Sequence, residues 1–172
     1  STGDPSLYAL YLLMFLVGLS VGTDLSVFKK IKEYGTALIM LPLITVTGTL
    51  AGSALISPLL EGLSVREALA VGAGFGYYSL SSVIIGEIHS ESLGVLALLS
   101  NIMRELITLL GAPLLLLLFG KPGPLVSGGA TSMDTSLPVI SRVSGTEFAI
   151  VALYHGLVLT ILVPFLVSFI LS

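Results

Sequence analysis

The chain has 172 residues, of which 55% are hydrophobic and 10% charged, and its mean hydropathy is +1.08. Since water-soluble domains are far less apolar, this composition predicts an all-α integral membrane protein. A net charge of −3, only seven basic residues and no cysteine argue against a nucleic-acid partner, a thiolate metal site and a disulfide framework.

Six stretches are candidate membrane segments, because a bilayer core about 30 Å thick needs roughly 20 apolar residues as helix. They cover residues 6–26, 34–57, 65–86, 92–119, 124–142 and 146–171. We expect them to form one transmembrane domain, 1–172. The opening STGDPS has no basic residue, so we expect a retained first segment rather than a cleaved signal peptide.

Two segments combine glycine with hydroxyl residues, and we expect both to be discontinuous or re-entrant. Residues 65–86 contain GAGFGYYSLSS, and residues 124–142 contain SGGATSMDTSLP. Transporters built from repeats place such broken helices at their substrate sites, whereas glycines can alternatively serve only close helix packing. The candidate binding side chains in these stretches are Tyr78, Ser79, Ser81, Ser132 and Thr135.

Basic residues predict the orientation. The only cluster is Lys29, Lys30 and Lys32, which the positive-inside rule places in the cytoplasm. Both termini are then outside if all six segments cross. In that case Arg142 joins the three lysines, while Arg66 and Lys121 lie outside. A single re-entrant segment would reverse the predicted orientation of every segment that follows it.

Asp134 is the acidic residue of the second glycine-rich stretch. A carboxylate in hydrocarbon is costly and is retained where it pairs, faces water or functions. We therefore predict that Asp134 binds substrate or a coupling proton. The alternative is a structural N-cap at the start of a half-helix.

The fourth segment carries a polar face. Asn101, Arg104, Glu105 and Thr108 fall at i, i+3, i+4 and i+7, which places them on one side of a helix. Substrate contact and structural charge pairing both fit this face. A pairing of Arg104 with Asp134 would keep that carboxylate ionised.

Two further residues are candidates for the site. His155 lies inside the last segment, where it can relay protons or form an ordinary core hydrogen bond. Asp24 ends the first segment, as an intramembrane carboxylate or an interfacial one. No catalytic motif and no phosphate-binding loop occurs, so we expect no enzyme and no cofactor beyond a coupling proton or cation.

The sequence resembles the prokaryotic lysine exporter family LysO. The resemblance rests on LLMFLVGLSVG, ALAVGAGFGYYSLSS, LLSNIMRELITLLGAPLL, GGATSMDTSLPVI and HGLVLTILVPFL, in that order. It implies export of L-lysine and of toxic analogues such as thialysine across the cell membrane, with essential intramembrane acidic residues. The MDT carboxylate then corresponds to Asp134, and the RE pair to Arg104 and Glu105.

The resemblance covers the C-terminal part of typical members, which are nearly twice as long. It therefore implies a small membrane subunit that supplies the remaining spans, or a homo-oligomer. Asp24 is then a candidate to replace the essential acidic residue that typical members carry in those spans. We expect proton or ion antiport. Alternatives are an ion-coupled carrier of another small organic ion and a non-transporting subunit that completes a partner's site.

Overall fold

The computed structural model describes residue 12 and residues 36–172, and the described part is helical, without strands. Segment 6–26 and Asp24 therefore lie outside the described residues, apart from Leu12. The seven α-helices of residues 36–172 are α1 (Thr36–Ile56), α2 (Val65–Gly72), α3 (Tyr78–Ile88), α4 (Glu91–Phe119), α5 (Pro122–Gly128), α6 (Leu137–Ser144) and α7 (Phe148–Leu171). Short 3-10 turns follow α1 at Ser57–Leu59 and α5 at Gly129–Met133.

Three helices of the described chain are long and apolar enough to cross a membrane, namely α1 with its following turn, α4 and α7. On α4 the side chains of Leu110 and Leu117 are 83% and 80% exposed. Large apolar side chains exposed in this way are unfavourable in water and favourable in contact with lipid tails. The chain is therefore a membrane protein whose long helices present apolar surfaces.

The first glycine-rich stretch is divided between α2 and α3. Ser64 caps α2 through a reciprocal capping box with Glu67. Helical structure ends at Gly72 and resumes at Tyr78. Phe75 at this interruption is fully buried and has φ +45°, a backbone conformation that costs energy for a residue with a side chain. We name residues 73–77 the first interruption.

The second glycine-rich stretch is divided between α5 and α6, and residues 129–136 between them form the second interruption. Gly129 has φ +63°, a left-handed conformation that glycine adopts without strain. Pro138 occupies the first turn of α6, where a proline fits a helix start.

Each interrupted stretch begins and ends at the same end of the molecule. His89 after α3 contacts Glu67 of α2, with 2.9 Å between Nε2 and Oε1. Lys121 before α5 contacts Glu147 before α7, with 2.9 Å between Nζ and Oε1. The Arg66 side chain also donates to the Ile170 carbonyl, so the end of α7 lies beside the start of α2. We call these two ends the Glu67 end and the Lys121 end.

Glu67 lies outside the three long helices, and its acid form is disfavoured. Ser64 donates to its Oε2 through the hydroxyl at 2.6 Å and the backbone N–H at 2.7 Å. These bonds, together with His89, lower the pKa of Glu67 from 4.5 to about 2. Because the folded-state pKa is depressed, the resulting stabilisation is present above about pH 4.5 and is lost as the pH falls toward 2.

We expect the substitution Glu67→Gln to reduce the acid sensitivity of the protein. The melting temperature of the detergent-solubilised native protein should fall as the pH is lowered from 4.5 to about 2, and this fall should be smaller in the variant. Glu61→Gln, which changes an exposed carboxylate in the preceding loop, is the control. Equal acid sensitivity in Glu67→Gln and the native protein would contradict the assignment.

Candidate functional site

The two interruptions touch each other in the interior. The backbone N–H of Ala130 donates to the carbonyl of Phe75 at 2.8 Å. A β-carbon on Gly129 would lie 2.1 Å from the same carbonyl oxygen, and one on Gly76 would lie 2.9 Å from the carbonyl oxygen of Gly128. Glycine at these positions therefore permits the close approach of two stretches of backbone.

Asn101 of α4 satisfies the backbone of the first interruption. Its Oδ1 accepts from the N–H of Gly76 at 2.7 Å. Its Nδ2 donates to the carbonyls of Val71 at 3.1 Å and Ala97 at 2.9 Å. The side chain is 3% exposed. Asn101 thus supplies an acceptor to the Gly76 N–H, which the broken helix leaves without a helical partner, and joins α4 to the end of α2.

Arg104, one turn further along α4, performs the same task for the second interrupted stretch. Its Nε donates to the carbonyl of Ser127 at 2.8 Å, and its Nη2 donates to the carbonyl of Val126 at 3.1 Å. Its Nη1 donates to the hydroxyl of Thr49 on α1 at 3.2 Å. The hydroxyls of Thr108 and Ser127, 2.7 Å apart, join α4 to α5 independently of the guanidinium.

His155 of α7 links the second interruption to α1. Its Nε2 lies 2.8 Å from the hydroxyl oxygen of Thr45, and its Nδ1 lies 3.1 Å from that of Ser132. His155 is fully buried with both ring nitrogens bonded, as the alternative of a core hydrogen bond anticipated.

The Asp134 carboxylate is on the surface of the described structure, at the second interruption. Its Oδ1 accepts from the backbone N–H of Thr135 and, at 3.3 Å, from the Thr135 hydroxyl. The N-cap position of α6 belongs to Ser136, so the alternative that made Asp134 the cap is wrong. No basic side chain of the described residues lies within 4 Å of Asp134.

The structure does not bring the expected charged pairs together. Among the described residues, Arg104 forms no ion pair with Asp134 or with Glu105, which is partly buried on α4. The physical reason is that the Arg104 guanidinium already donates its hydrogen bonds to backbone carbonyls. Every residue type carries a backbone carbonyl, so no sequence pattern shows which carbonyls will accept these hydrogen bonds.

The remaining candidates lie along α3. Tyr78 is the first residue of α3 and is partly buried, and Ser79 is exposed. Ser81 is buried and donates to the carbonyl of Tyr77 at 2.9 Å. In the described part of the chain, three or more histidine, cysteine or acidic side chains do not group as a metal site would require.

Sequence reasoning missed two threonines of α1. Thr45 bonds His155, and Thr49 bonds Arg104. They lie on one face of α1 with Gly48 and Gly52, whose G-x-x-x-G spacing is typical of close packing between membrane helices. In the structure, both glycines are exposed, and nothing among the described residues comes within 4 Å of a β-carbon at either. The regular spacing of these threonines was the available signal.

Two cavities flank Arg104. One of about 250 Å³ lies between α1, α2 and α4 and includes Ser53, Leu63 and Asn101 in its lining. The other is an open groove of about 380 Å³, and Thr49 and Val126 belong to its lining. Because Arg104 lines both, the guanidinium lies at the boundary between them.

Known proteins resemble this chain in sequence along nearly its whole length. The family profile described as "Lysine exporter LysO" matches residues 2–171. The lysine exporter LysO of Escherichia coli (strain K12) is 34% identical over 166 residues, which are 96% of this chain and 54% of that protein. A Haemophilus influenzae protein named "Putative lysine exporter" is 29% identical over 164 residues, 95% of this chain and 83% of its own length. No solved structure matches.

The match thus runs along nearly the whole chain, while the chain spans about half the length of its Escherichia coli relative. The matched region includes both interruptions and the polar face of α4. Transporters, not enzymes, make up the matched family. The chain belongs to the lysine exporter LysO family.

Proposed function

We propose that the protein exports L-lysine, and toxic lysine analogues such as thialysine, across the cell membrane. The single observation that carries this proposal is the exposed Asp134 carboxylate beside the contact of two interrupted helices. A carboxylate without a described basic partner can receive an ammonium group, and interrupted helices are common substrate sites in transporters built from repeats. Family membership supports lysine as the substrate.

We infer antiport with a proton or another cation as the mode of coupling. Export of a cationic amino acid against the membrane potential needs an inward flow of charge or protons. Asp134 is suited to binding the substrate's amine and the coupling ion alternately, because one carboxylate cannot hold both at full strength. Glu105, partly buried on the neighbouring face of α4, is a second acidic group for this exchange.

We also propose that both interrupted stretches are re-entrant and enter the bilayer from opposite sides. The contacts Glu67–His89 and Lys121–Glu147 support this, because each joins the beginning of a stretch to the chain just after it. Residues 36–172 would then cross three times, through α1, α4 and α7. Together with segment 6–26, four crossings leave both termini outside.

The distribution of basic residues supports this topology. With two re-entrant stretches, Lys121 and Arg142 share the cytoplasmic side with the lysine cluster that precedes α1, and Arg66 alone lies outside. Five basic residues then lie on the cytoplasmic side and one lies outside, compared with four inside and two outside if all six segments crossed. The stronger asymmetry agrees better with the positive-inside rule.

We further propose that the chain works with additional spans. It covers 54% of its Escherichia coli relative, and the long helices of the described part expose many apolar side chains. A separate small membrane subunit or a second copy of this chain would cover part of this surface. If lysine binds only after such a partner is added, this chain is a subunit that completes a partner's site.

Counterflow of labelled L-lysine in proteoliposomes tests the exporter. We expect Asp134→Asn, which keeps the shape of the side chain and removes its charge, to lower counterflow at least tenfold. Glu61→Gln changes an exposed loop carboxylate and should leave counterflow unchanged. Undiminished transport by Asp134→Asn would overturn its role, and stronger inhibition by organic acids than by L-lysine would favour a carrier of another ion.

A further inference from the structure

The guanidinium of Arg104 rests in a group of oxygen atoms that suits a cation. The acceptors are the carbonyls of Val126 and Ser127 and the hydroxyl of Thr49, at 3.1, 2.8 and 3.2 Å. Both carbonyls belong to the last turn of α5. Carbonyl groups at the end of a helix are left without intrahelical donors, and they carry partial negative charge.

No carboxylate of the described residues lies within 4 Å of this guanidinium, so only neutral oxygen atoms accept its hydrogen bonds. A positive group held by dipoles alone is exchangeable, since its removal leaves no buried anion behind. The open groove of about 380 Å³ beside Thr49 and Val126 gives a small ion access to these oxygens.

We propose that these oxygens form a binding site for a guanidinium or primary ammonium group, which Arg104 fills from within the chain in this conformation. Arg104 is a tethered occupant, and an external cation with N–H donors competes with it for the same oxygens. If the proposed export function holds, the external cation is an ammonium group of the substrate. The site itself does not depend on that function.

Removal of the tethered cation tests the site. The purified full chain with Arg104→Ala should melt roughly 5 to 10 °C below the native protein, because three charge-assisted hydrogen bonds are lost. Millimolar guanidinium chloride should restore a large part of this loss, as a ligand that binds only the folded state raises its melting temperature. Methylammonium should act in the same direction, and tetramethylammonium, which has no N–H donor, should not.

Thr108→Val is the matched control, because it removes the neighbouring α4–α5 hydrogen bond and leaves Arg104 in place. Guanidinium should not raise the melting temperature of this variant or of the native protein. Arg104→Gln, also without charge, provides a second measurement if Arg104→Ala does not fold. The proposal fails if guanidinium stabilises neither Arg104 variant, or if it stabilises Thr108→Val equally. These measurements need no transport, so failed lysine counterflow would leave the cation site standing.

Discussion

The substitution Gly129→Ala should destabilise the protein by about 3 to 5 kcal/mol, one of the two largest effects that we expect. Two costs add at this position. The φ of +63° is unfavourable for alanine, and its β-carbon would lie 2.1 Å from the carbonyl oxygen of Phe75. Since that oxygen belongs to the backbone, relief requires the two interruptions to separate and the Ala130–Phe75 hydrogen bond to break.

Gly128→Ala is the matched control for this prediction. It adds the same methyl group one residue earlier, where the nearest heavy atoms would lie at 3.5 Å and the backbone is helical. Alanine there should change stability by less than about 1 kcal/mol. Denaturant unfolding in detergent measures both variants. Equal stability of the two variants would show that the contact between the interruptions is not close in the folded protein.

The second large effect is expected for Asn101→Leu, at about 3 to 5 kcal/mol. Leucine has nearly the same size but removes one acceptor and two donor bonds. The buried N–H of Gly76 would then lose its partner, and the carbonyl of Val71 would keep only its backbone donor, the N–H of Gly74. Unsatisfied polar groups are costly in low-dielectric surroundings.

A graded comparison separates these bonds from packing. Asn101→Asp keeps an acceptor for Gly76 and loses both donors, so it should also be destabilised. Ser100→Ala, at the exposed neighbouring position, should remain within about 0.5 kcal/mol of the native protein. Unfolding free energies measured as for the glycine variants test the order. A stable Asn101→Leu would refute the role of Asn101 as the support of the first interruption.

The long helices could be predicted closely from the sequence. The fourth segment, expected at 92–119, is the helix Glu91–Phe119, and the sixth, expected at 146–171, is Phe148–Leu171. Their bounds follow from hydropathy and length, because lipid allows few alternatives to a continuous helix. Glycine also indicated where helical structure stops, since Gly72 and Gly128 end α2 and α5.

The partners within the site could not be predicted in the same way. Arg104 was a clear candidate, but carbonyl oxygens of Val126 and Ser127 receive it instead of a carboxylate. These acceptors become available only because α5 ends there, which is a property of the folded backbone. His155 and Thr45 are 110 residues apart in sequence, so their contact depends on how α1 and α7 pack. Charge matching alone therefore did not reveal these partners.

The spacing of Asn101 and Arg104 has a mechanical consequence. Three residues of helix correspond to a rise of about 4.5 Å, so α4 contacts both interrupted stretches within less than one turn. One side chain holds Val71 and Gly76, and the other holds Val126 and Ser127. A slide of α4 along its axis would pull on both at once. A displacement of either interrupted stretch is thereby coupled through α4 to the other.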